Sequence, residues 1–172
     1  NECLITYVMA AASPTYPISP QAYHQAWAKN GNIVSPASVL NIPKVFNHNG
    51  TGSVGPLFWA HYSYMGLDPR GLSDQYANYW TLNQNHTKIN YQYCLANPYS
   101  WTGYSDKCWG LTASYTRNTN GTTGYSAHQN NNDRGVISPT AALSSFPYTP
   151  NESMKFLRFL YEERATKYIG VA

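Results

Sequence analysis

The 172-residue chain has only eight side-chain carboxylates, so each can be considered in turn as a candidate acid or base. Neighbouring residues suggest structural roles for five of them, in a capping box, a charged helix end, a helix start and a loop beside a lysine: Glu152, Glu162, Glu163, Asp74 and Asp106. Glycoside hydrolysis requires two carboxylates, one of them kept protonated as the acid. The elimination leaves Glu2, Asp68 and Asp133 as candidates for that chemistry.

Glu2 differs from the other two because it opens an otherwise apolar helix. Desolvation there would favour the protonated carboxyl, the form a general acid needs. A glutamate near a chain end can equally be exposed and inert. Asp68 and Asp133 each lie close to an arginine, Arg70 and Arg134, so a loop-fixing ion pair is the alternative to a binding role for both.

Two other patterns in the chain give no prediction of a cofactor or metal site. Residues 50–55 match G-x-G-x-x-G, but no βαβ pattern surrounds them, so they predict a flexible turn and no cofactor is expected. The five histidines show no metal-ligand spacing, which predicts no metal site. His61 lies in an aromatic run, where it either lines a cleft or forms structural hydrogen bonds.

Composition narrows the class of ligand. Aromatic residues make up 15% of the chain, with 16 Tyr and 5 Trp, and only 11% of the residues are charged. Disorder needs the opposite balance, and a net charge of +3 without a basic run argues against nucleic-acid binding. An aromatic, neutral and hydroxyl-rich surface suits carbohydrate. The aromatic side chains in predicted loops are Trp59, Trp101, Trp109, Tyr99, Tyr104, Tyr115 and Tyr125.

The elements that must position these residues are predicted to be helices joined by long loops. Start and stop signals predict helices at 2–12, 20–30, 73–97, 138–146 and 150–164. Long irregular segments at 32–55, where a short β-hairpin is allowed, and at 99–137 separate them. No linker divides residues 1–172, which predicts one domain or part of one. No apolar run is long enough for a membrane span, and the first residues lack a signal-peptide pattern.

Three cysteines leave at least one thiol unpaired. The sequence is compatible with three buried thiols or with a bridge between Cys94 and Cys108, and it does not choose between them.

Several long motifs, in order, resemble one known family. They are Asn-Glu-Cys-Leu-Ile at 1–5, Ala-Ser-Pro-Thr-Tyr-Pro-Ile at 12–18, Pro-Leu-Phe-Trp-Ala-His-Tyr-Ser-Tyr-Met-Gly-Leu-Asp-Pro-Arg at 56–70, Asp-Gln-Tyr-Ala-Asn-Tyr-Trp at 74–80, Cys-Trp-Gly-Leu-Thr-Ala-Ser at 108–114 and Gly-Val-Ile-Ser-Pro-Thr-Ala-Ala-Leu-Ser-Ser at 135–145, followed by Pro-Tyr-Thr-Pro-Asn-Glu-Ser. The family is the glycoamylase-like domain of Bacteroidetes-type glycan degraders, which includes endo-β-1,2-glucanases of glycoside hydrolase family 144.

This resemblance implies an all-α fold, part of an (α/α)6 toroid, with a glycan cleft at its mouth. It implies acid–base hydrolysis of β-1,2-glucan or a related glucan in the periplasm or at the cell surface. The signature glutamate falls on Glu2 as the general acid. The resemblance implies cleft positions at His61, Tyr62, Ser63, Asp68, Trp109 and Thr112, and the elimination above adds Asp133 as a substrate-binding candidate.

The length conflicts with a complete toroid. Twelve helices of roughly 12 residues each plus loops exceed this chain about twofold. The general base is therefore expected outside these residues, and the chain alone is expected to associate with itself through exposed helix faces. Two alternatives remain open: a polysaccharide lyase with His61 and Tyr62 as candidate bases, and a glycan-binding remnant without catalysis.

Overall fold

This computed structural model describes residues 2–47 and 49–164, with only the backbone at Arg164. In chain order the elements are α1 (Leu4–Ala11), α2 (Pro20–Ala22, continued by a π turn at Tyr23–Trp27), a 3₁₀ turn at Lys29–Gly31, β1 (Val34–Val39), β2 (Ile42–Phe46), 3₁₀ turns at Leu57–Ala60 and Ser63–Met65, α3 (Tyr79–Ala96), β3 (Ala113–Arg117), β4 (Thr123–Ala127), α4 (Pro139–Leu143) and α5 (Pro150–Arg158, continued by a π turn at Phe159–Arg164).

The fold is helical in part, as expected, and two antiparallel hairpins interrupt the helices. β1 pairs with β2, as the sequence allowed, and β3 pairs with β4 inside the segment expected to be loop. The first hairpin turns through two residues with positive φ, Leu40 at 51° and Asn41 at 62°. Such a pair fits the twist of a two-residue hairpin, but leucine rarely adopts this conformation, so the sequence signal is weak.

The start of one helix also differs from expectation. Helix α3 begins at Tyr79 and not near Ser73, because the Asp74 carboxylate accepts the backbone N–H groups of Tyr76 and Ala77 and holds a turn there. Asn78 then caps the helix through the Thr81 N–H, at 2.9 Å.

The capping box expected at the start of α5 does not form. The Thr149 hydroxyl donates to the Ser145 carbonyl instead, at 3.3 Å, and makes no cap bond to the new helix. Thr149 therefore ties α5 back to the end of α4.

Helix α3 connects two groups of buried side chains. Near its start Tyr79 and Leu82 pack with residues such as Leu4 of α1 and Phe46 of β2. Near its end Tyr91 packs with a cluster that includes Trp109, Leu57 and Phe156. Burial of such large apolar side chains is the main source of stability in a fold of this size.

Buried polar side chains on α3 fasten the loops. Asn90 accepts the Leu111 N–H at 3.0 Å and donates to the carbonyl of the same residue at 3.3 Å. His86 bonds the Gly55 carbonyl at 3.0 Å. These side chains substitute for a sheet or helix partner, because buried backbone groups outside regular elements still need hydrogen bonds.

Candidate functional site

Two adjoining cavities form one open cleft. They measure about 430 and 460 Å³ and share Tyr64, Met65, Pro147 and Tyr148. The two 3₁₀ turns at Leu57–Ala60 and Ser63–Met65 supply one wall, and the end of α4 with the turn after it supplies another. Cavities of this size fall in the usual range of ligand sites, roughly 300–1,000 Å³.

His61 lines the first cavity in its neutral form. Its Nε2 lies 3.1 Å from the Ser145 Oγ, and that hydroxyl gives its one proton to the Ala141 carbonyl at 2.7 Å. The imidazole must therefore carry its proton on Nε2, which leaves Nδ1 as an acceptor. Burial and the neighbouring His86 lower the pKa of His61 to about 4. Among the described residues Nδ1 has no hydrogen-bond partner, so it can accept a ligand hydroxyl.

Tyr148 forms the wall shared by the two cavities. Its ring lies parallel to His61, with centroids 6.4 Å apart, and is tilted against Trp80 at 5.3 Å. Its hydroxyl accepts a hydrogen bond from the buried Asn83 amide, at 3.2 Å. Burial raises the pKa of Tyr148 to about 12, so the phenol stays protonated at neutral pH.

Tyr62 gives the cleft an exposed aromatic surface. Its side chain is 55% exposed, and its ring lies 5.0 Å from that of Phe58. Both rings line the first cavity. Paired aromatic faces at an open cleft suit the C–H faces of a sugar ring, while the phenol can bond a hydroxyl.

Ser63 lies beneath the cleft and holds the start of α1. It is fully buried, its hydroxyl donates to the Glu2 carbonyl at 2.7 Å and accepts the Ile5 N–H at 3.2 Å. Helix α1 also comes so close to Gly66 that a Cβ there would lie 2.8 Å from the Ile5 Cδ1. Glu2 is thereby fixed beside the segment that lines the cleft.

The Glu2 side chain itself is exposed in the described structure. The desolvation expected from an apolar helix is therefore not supplied by these residues, because Glu2 precedes the first helical residue, Leu4, and does not lie within the helix.

Asp68 lines the second cavity and forms the expected ion pair with Arg70. Arg70 contacts both carboxylate oxygens, through Nε at 2.9 and 3.1 Å and through Nη2 at 2.8 Å. These hydrogen bonds hold the pKa of the Asp68 carboxyl below its usual value. An ionised, arginine-bound carboxylate can accept ligand hydroxyls but holds no proton to give.

Two further candidate residues are buried and do not present their side chains to the cleft as Tyr62 does. Thr112 lines the first cavity but is buried, and its hydroxyl accepts the Phe58 N–H at 3.2 Å. Trp109 is fully buried, because its ring packs edge-on against Tyr91 and its Nε1 donates to the Glu152 carbonyl. It offers no face to a ligand in this structure.

Asp133 lines neither of the two cavities. Its carboxylate accepts the hydroxyls of Tyr104 and Tyr93, at 2.7 and 3.1 Å, and the Gly135 N–H at 3.0 Å. These bonds, and not the expected ion pair with Arg134, fasten the loop that contains it.

Sequence reasoning overlooked Tyr148, Trp80 and Ser145 as parts of the site. Tyr148 belongs to the Pro-Tyr-Thr-Pro run that follows α4, so the run itself was a usable signal. Trp80 lies within the predicted helix 73–97, and only its packing against Tyr148 brings it to the cleft.

The G-x-G-x-x-G run forms an irregular loop. Ser53 is buried and accepts the Gly55 N–H at 3.3 Å while donating to the Asn130 amide oxygen at 2.7 Å. Over residues 2–47 and 49–164, no three His, Cys, Asp or Glu side chains group closely enough to hold a metal ion. None of the helices described there is both long and apolar enough to cross a bilayer.

An open cleft with exposed aromatic rings, a neutral histidine acceptor and a paired carboxylate has the features of a carbohydrate site. Comparison with known proteins agrees with that class. The Glycoamylase family model, described as "Putative glucoamylase", matches residues 1–171, and the chain belongs to this family.

Relatives of known structure are similar over nearly the whole chain. An endo-β-1,2-glucanase from Chitinophaga pinensis, solved with sophorotriose and glucose, is 50% identical with a TM-score of 0.89, over 97% of this chain and 40% of that chain. A β-1,2-glucanase from Parabacteroides distasonis is 37% identical with a TM-score of 0.80, over 94% of this chain and 25% of that chain.

A curated relative also comes from Parabacteroides distasonis (strain ATCC 8503), an exo β-1,2-glucooligosaccharide sophorohydrolase acting at the non-reducing end. It is 39% identical over 183 residues, which cover 96% of this chain and 24% of that protein. The chain thus spans between a quarter and two fifths of the length of these relatives.

Proposed function

We propose that this chain forms part of the substrate cleft of a glycoside hydrolase that cleaves β-1,2-glucan by acid–base catalysis. The observation that carries the proposal is the 50% identity, over 97% of the chain, to an endo-β-1,2-glucanase solved with sophorotriose. The relatives include endo- and exo-acting enzymes on β-1,2-linked glucose, so the linkage is supported more strongly than the mode of action.

Different cleft residues contact the hydroxyl groups and the apolar faces of the sugar. The Nδ1 of His61 accepts a sugar hydroxyl, and the Tyr62 and Phe58 rings pack against a sugar face. Asp68, kept ionised by Arg70, accepts hydroxyls at the second cavity. This mixture of apolar faces and fixed acceptors suits a neutral, hydroxyl-rich ligand.

Glu2 is the general acid in this proposal. It occupies the signature position of the family motif, and the Ser63 hydroxyl ties its backbone to the cleft wall. Hydrolysis needs a second carboxylate. Arg70 lowers the pKa of Asp68 and so makes it a poor base, and Asp133 lines neither cavity. Neither is therefore proposed to activate water.

The base is therefore proposed to come from segments that the relatives possess and this sequence does not match. Those segments would complete an (α/α)6 toroid, cover the exposed Glu2 carboxyl and so favour its protonated form. The high TM-scores to glucanases support the toroid. A periplasmic or cell-surface location rests on the family resemblance alone.

The test uses a chimera in which this chain replaces the matching segment of the Chitinophaga pinensis glucanase. We expect the chimera to release reducing sugar from β-1,2-glucan and not from β-1,3-glucan. Glu2→Gln should lower the rate by about 10²- to 10⁴-fold, the usual contribution of a positioned acid. Glu162→Gln changes an exposed glutamate at the other end of the chain and should leave the rate unchanged.

Two results would contradict the proposal. A chimera that melts cooperatively but releases no sugar from β-1,2-glucan would remove the assigned activity. A product with new ultraviolet absorbance would contain the double bond that a lyase forms. It would show that the enzyme cleaves the glucan by elimination and not by hydrolysis.

A further inference from the structure

The β3–β4 hairpin has two different faces. On its inner face the buried Thr116 hydroxyl bonds the Nε2 of His128, at 2.8 Å, and the Ser126 hydroxyl accepts the Asn132 amide at 2.9 Å. Since side chains alternate along a strand, the remaining residues form an outer face. That face is not covered by any described residue to a comparable extent.

Tyr115 and Tyr125 dominate the outer face. They are cross-strand partners whose ring centroids lie 5.4 Å apart, edge to face, and they are 72% and 67% exposed. Exposing two large aromatic side chains side by side is unfavourable in water. The arrangement therefore points to a ligand for these rings.

The outer face continues one wall of the cleft. Ala113 lines the first cavity and is two residues before Tyr115 on the same face of β3. Alternate residues on a strand lie about 7 Å apart, so the tyrosine pair follows directly beyond the cavity. Arg117 lies a further two residues along, with its guanidinium donors available for hydroxyl groups.

The hairpin is held in one arrangement by its own bonds. Within the turn, the Asn118 N–H donates to the Thr122 carbonyl and the Gly121 N–H to the Asn118 carbonyl, at 2.8 and 2.9 Å. At the base, the His128 N–H donates to the Thr112 carbonyl at 3.3 Å. A preorganised pair of rings loses little conformational freedom when a ligand binds.

We propose that Tyr115 and Tyr125 form an outer glucan subsite, which holds sugar units of a long β-1,2-glucan beyond those in the cleft. The proposal rests on the function proposed above and adds a preference for polymer over short oligosaccharide. The rings stack on the C–H faces of the sugars, and the phenols and Arg117 bond their hydroxyls.

The test compares two ligands on the Glu2→Gln form of the glucanase chimera, which should bind glucan without cleaving it. Affinity electrophoresis measures binding to polymeric β-1,2-glucan, and calorimetric titration measures binding to sophorotriose. The double variant Tyr115→Ala/Tyr125→Ala should weaken polymer binding about tenfold, since two stacking contacts are lost. Sophorotriose binding should stay unchanged. The matched controls are Tyr115→Phe/Tyr125→Phe, which keeps the rings and should keep most of the polymer affinity, losing only the phenol hydrogen bonds, and Tyr16→Ala, an exposed tyrosine elsewhere.

Several outcomes would overturn the subsite. These are unchanged polymer affinity in the Ala variant, equal losses for both ligands, a Phe variant as weak as the Ala variant, or a loss of unfolding free energy well above the roughly 1 kcal/mol that one cross-strand aromatic pair contributes, which would show that the rings pack on other parts of the protein. A Glu2→Gln chimera that keeps both tyrosines and binds neither ligand would instead refute the proposed function itself, so the two failures are distinguishable.

Discussion

Replacing Ser63 by alanine tests whether one buried hydroxyl positions Glu2. The change removes two hydrogen bonds, to the Glu2 carbonyl at 2.7 Å and from the Ile5 N–H at 3.2 Å. Each such bond contributes about 0.5–1.5 kcal/mol, so the free energy of unfolding should fall by about 1–3 kcal/mol. For a chain of this length about 2 kcal/mol corresponds to a melting temperature lowered by roughly 4–8 °C.

The assay is thermal unfolding followed by circular dichroism, with Ser13→Ala as the matched control. Ser13 also accepts a backbone N–H, from Tyr16 at 3.1 Å, but at an exposed position, so its loss should cost less than about 0.5 kcal/mol. In the glucanase chimera, Ser63→Ala should reduce hydrolysis more than substrate binding, since it displaces the acid. Equal melting temperatures for the two variants, or full hydrolysis by Ser63→Ala, would refute the positioning role.

Three further predictions concern packing, pH and association. Gly55→Ala should destabilise by about 3–5 kcal/mol, because φ is +86° and the new Cβ would lie 2.3 Å from the Trp59 ring. Gly71→Ala, at φ +74° in open space, should cost only about 1–2 kcal/mol, and equal losses in urea unfolding would contradict the contact. His61 and His86 both have pKa values lowered to about 4, chiefly by burial, so the unfolded chain binds more protons between about pH 4 and 6.5. Stability should therefore fall as pH is lowered through that window, with these two rings contributing up to about 2.7 kcal/mol per pH unit, and His61→Gln should reduce the slope in urea titrations; a flat profile would show that the two rings are hydrated. The exposed Met9 on α1 should support self-association, which Met9→Lys reduces in size-exclusion chromatography, and a concentration-independent monomer would exclude it.

The helices were predictable where local signals decide them. Pro139 and Pro150 mark the starts of α4 and α5, and α3 ends at Ala96, one residue before Asn97 adopts a left-handed conformation. The start of α3 was not predictable, because an aspartate side chain competed with the helix for the backbone N–H groups that follow it.

The second hairpin was hidden for a different reason. β4 contains Gly124 and Ser126, residues with low strand propensity, and its inner face is held by polar bonds and not by an apolar stripe. The usual strand signal is reversed here, because the aromatic residues Tyr115 and Tyr125 lie on the exposed face and the buried face carries polar residues such as Thr116.

The cleft was predictable in part. His61, Tyr62 and Asp68 were expected to bind ligand, and all three line the two cavities. Trp109 shows that composition alone does not predict a binding residue, because a tryptophan in a loop can equally pack in the core. Tyr148 shows the converse, because its place at the cleft depends on contacts with residues far away in sequence.

A crystal structure of the Glu2→Gln chimera with sophorotriose tests the central claim most directly. The account predicts a sugar unit in the first cavity, with a hydroxyl within hydrogen-bond distance of the His61 Nδ1 and a face against the Tyr62 ring. It also predicts that the residue at position 2 lies beside a glycosidic oxygen. Sophorotriose bound away from the cleft, with His61 and Tyr62 untouched, would contradict the assignment of this chain to a β-1,2-glucan site.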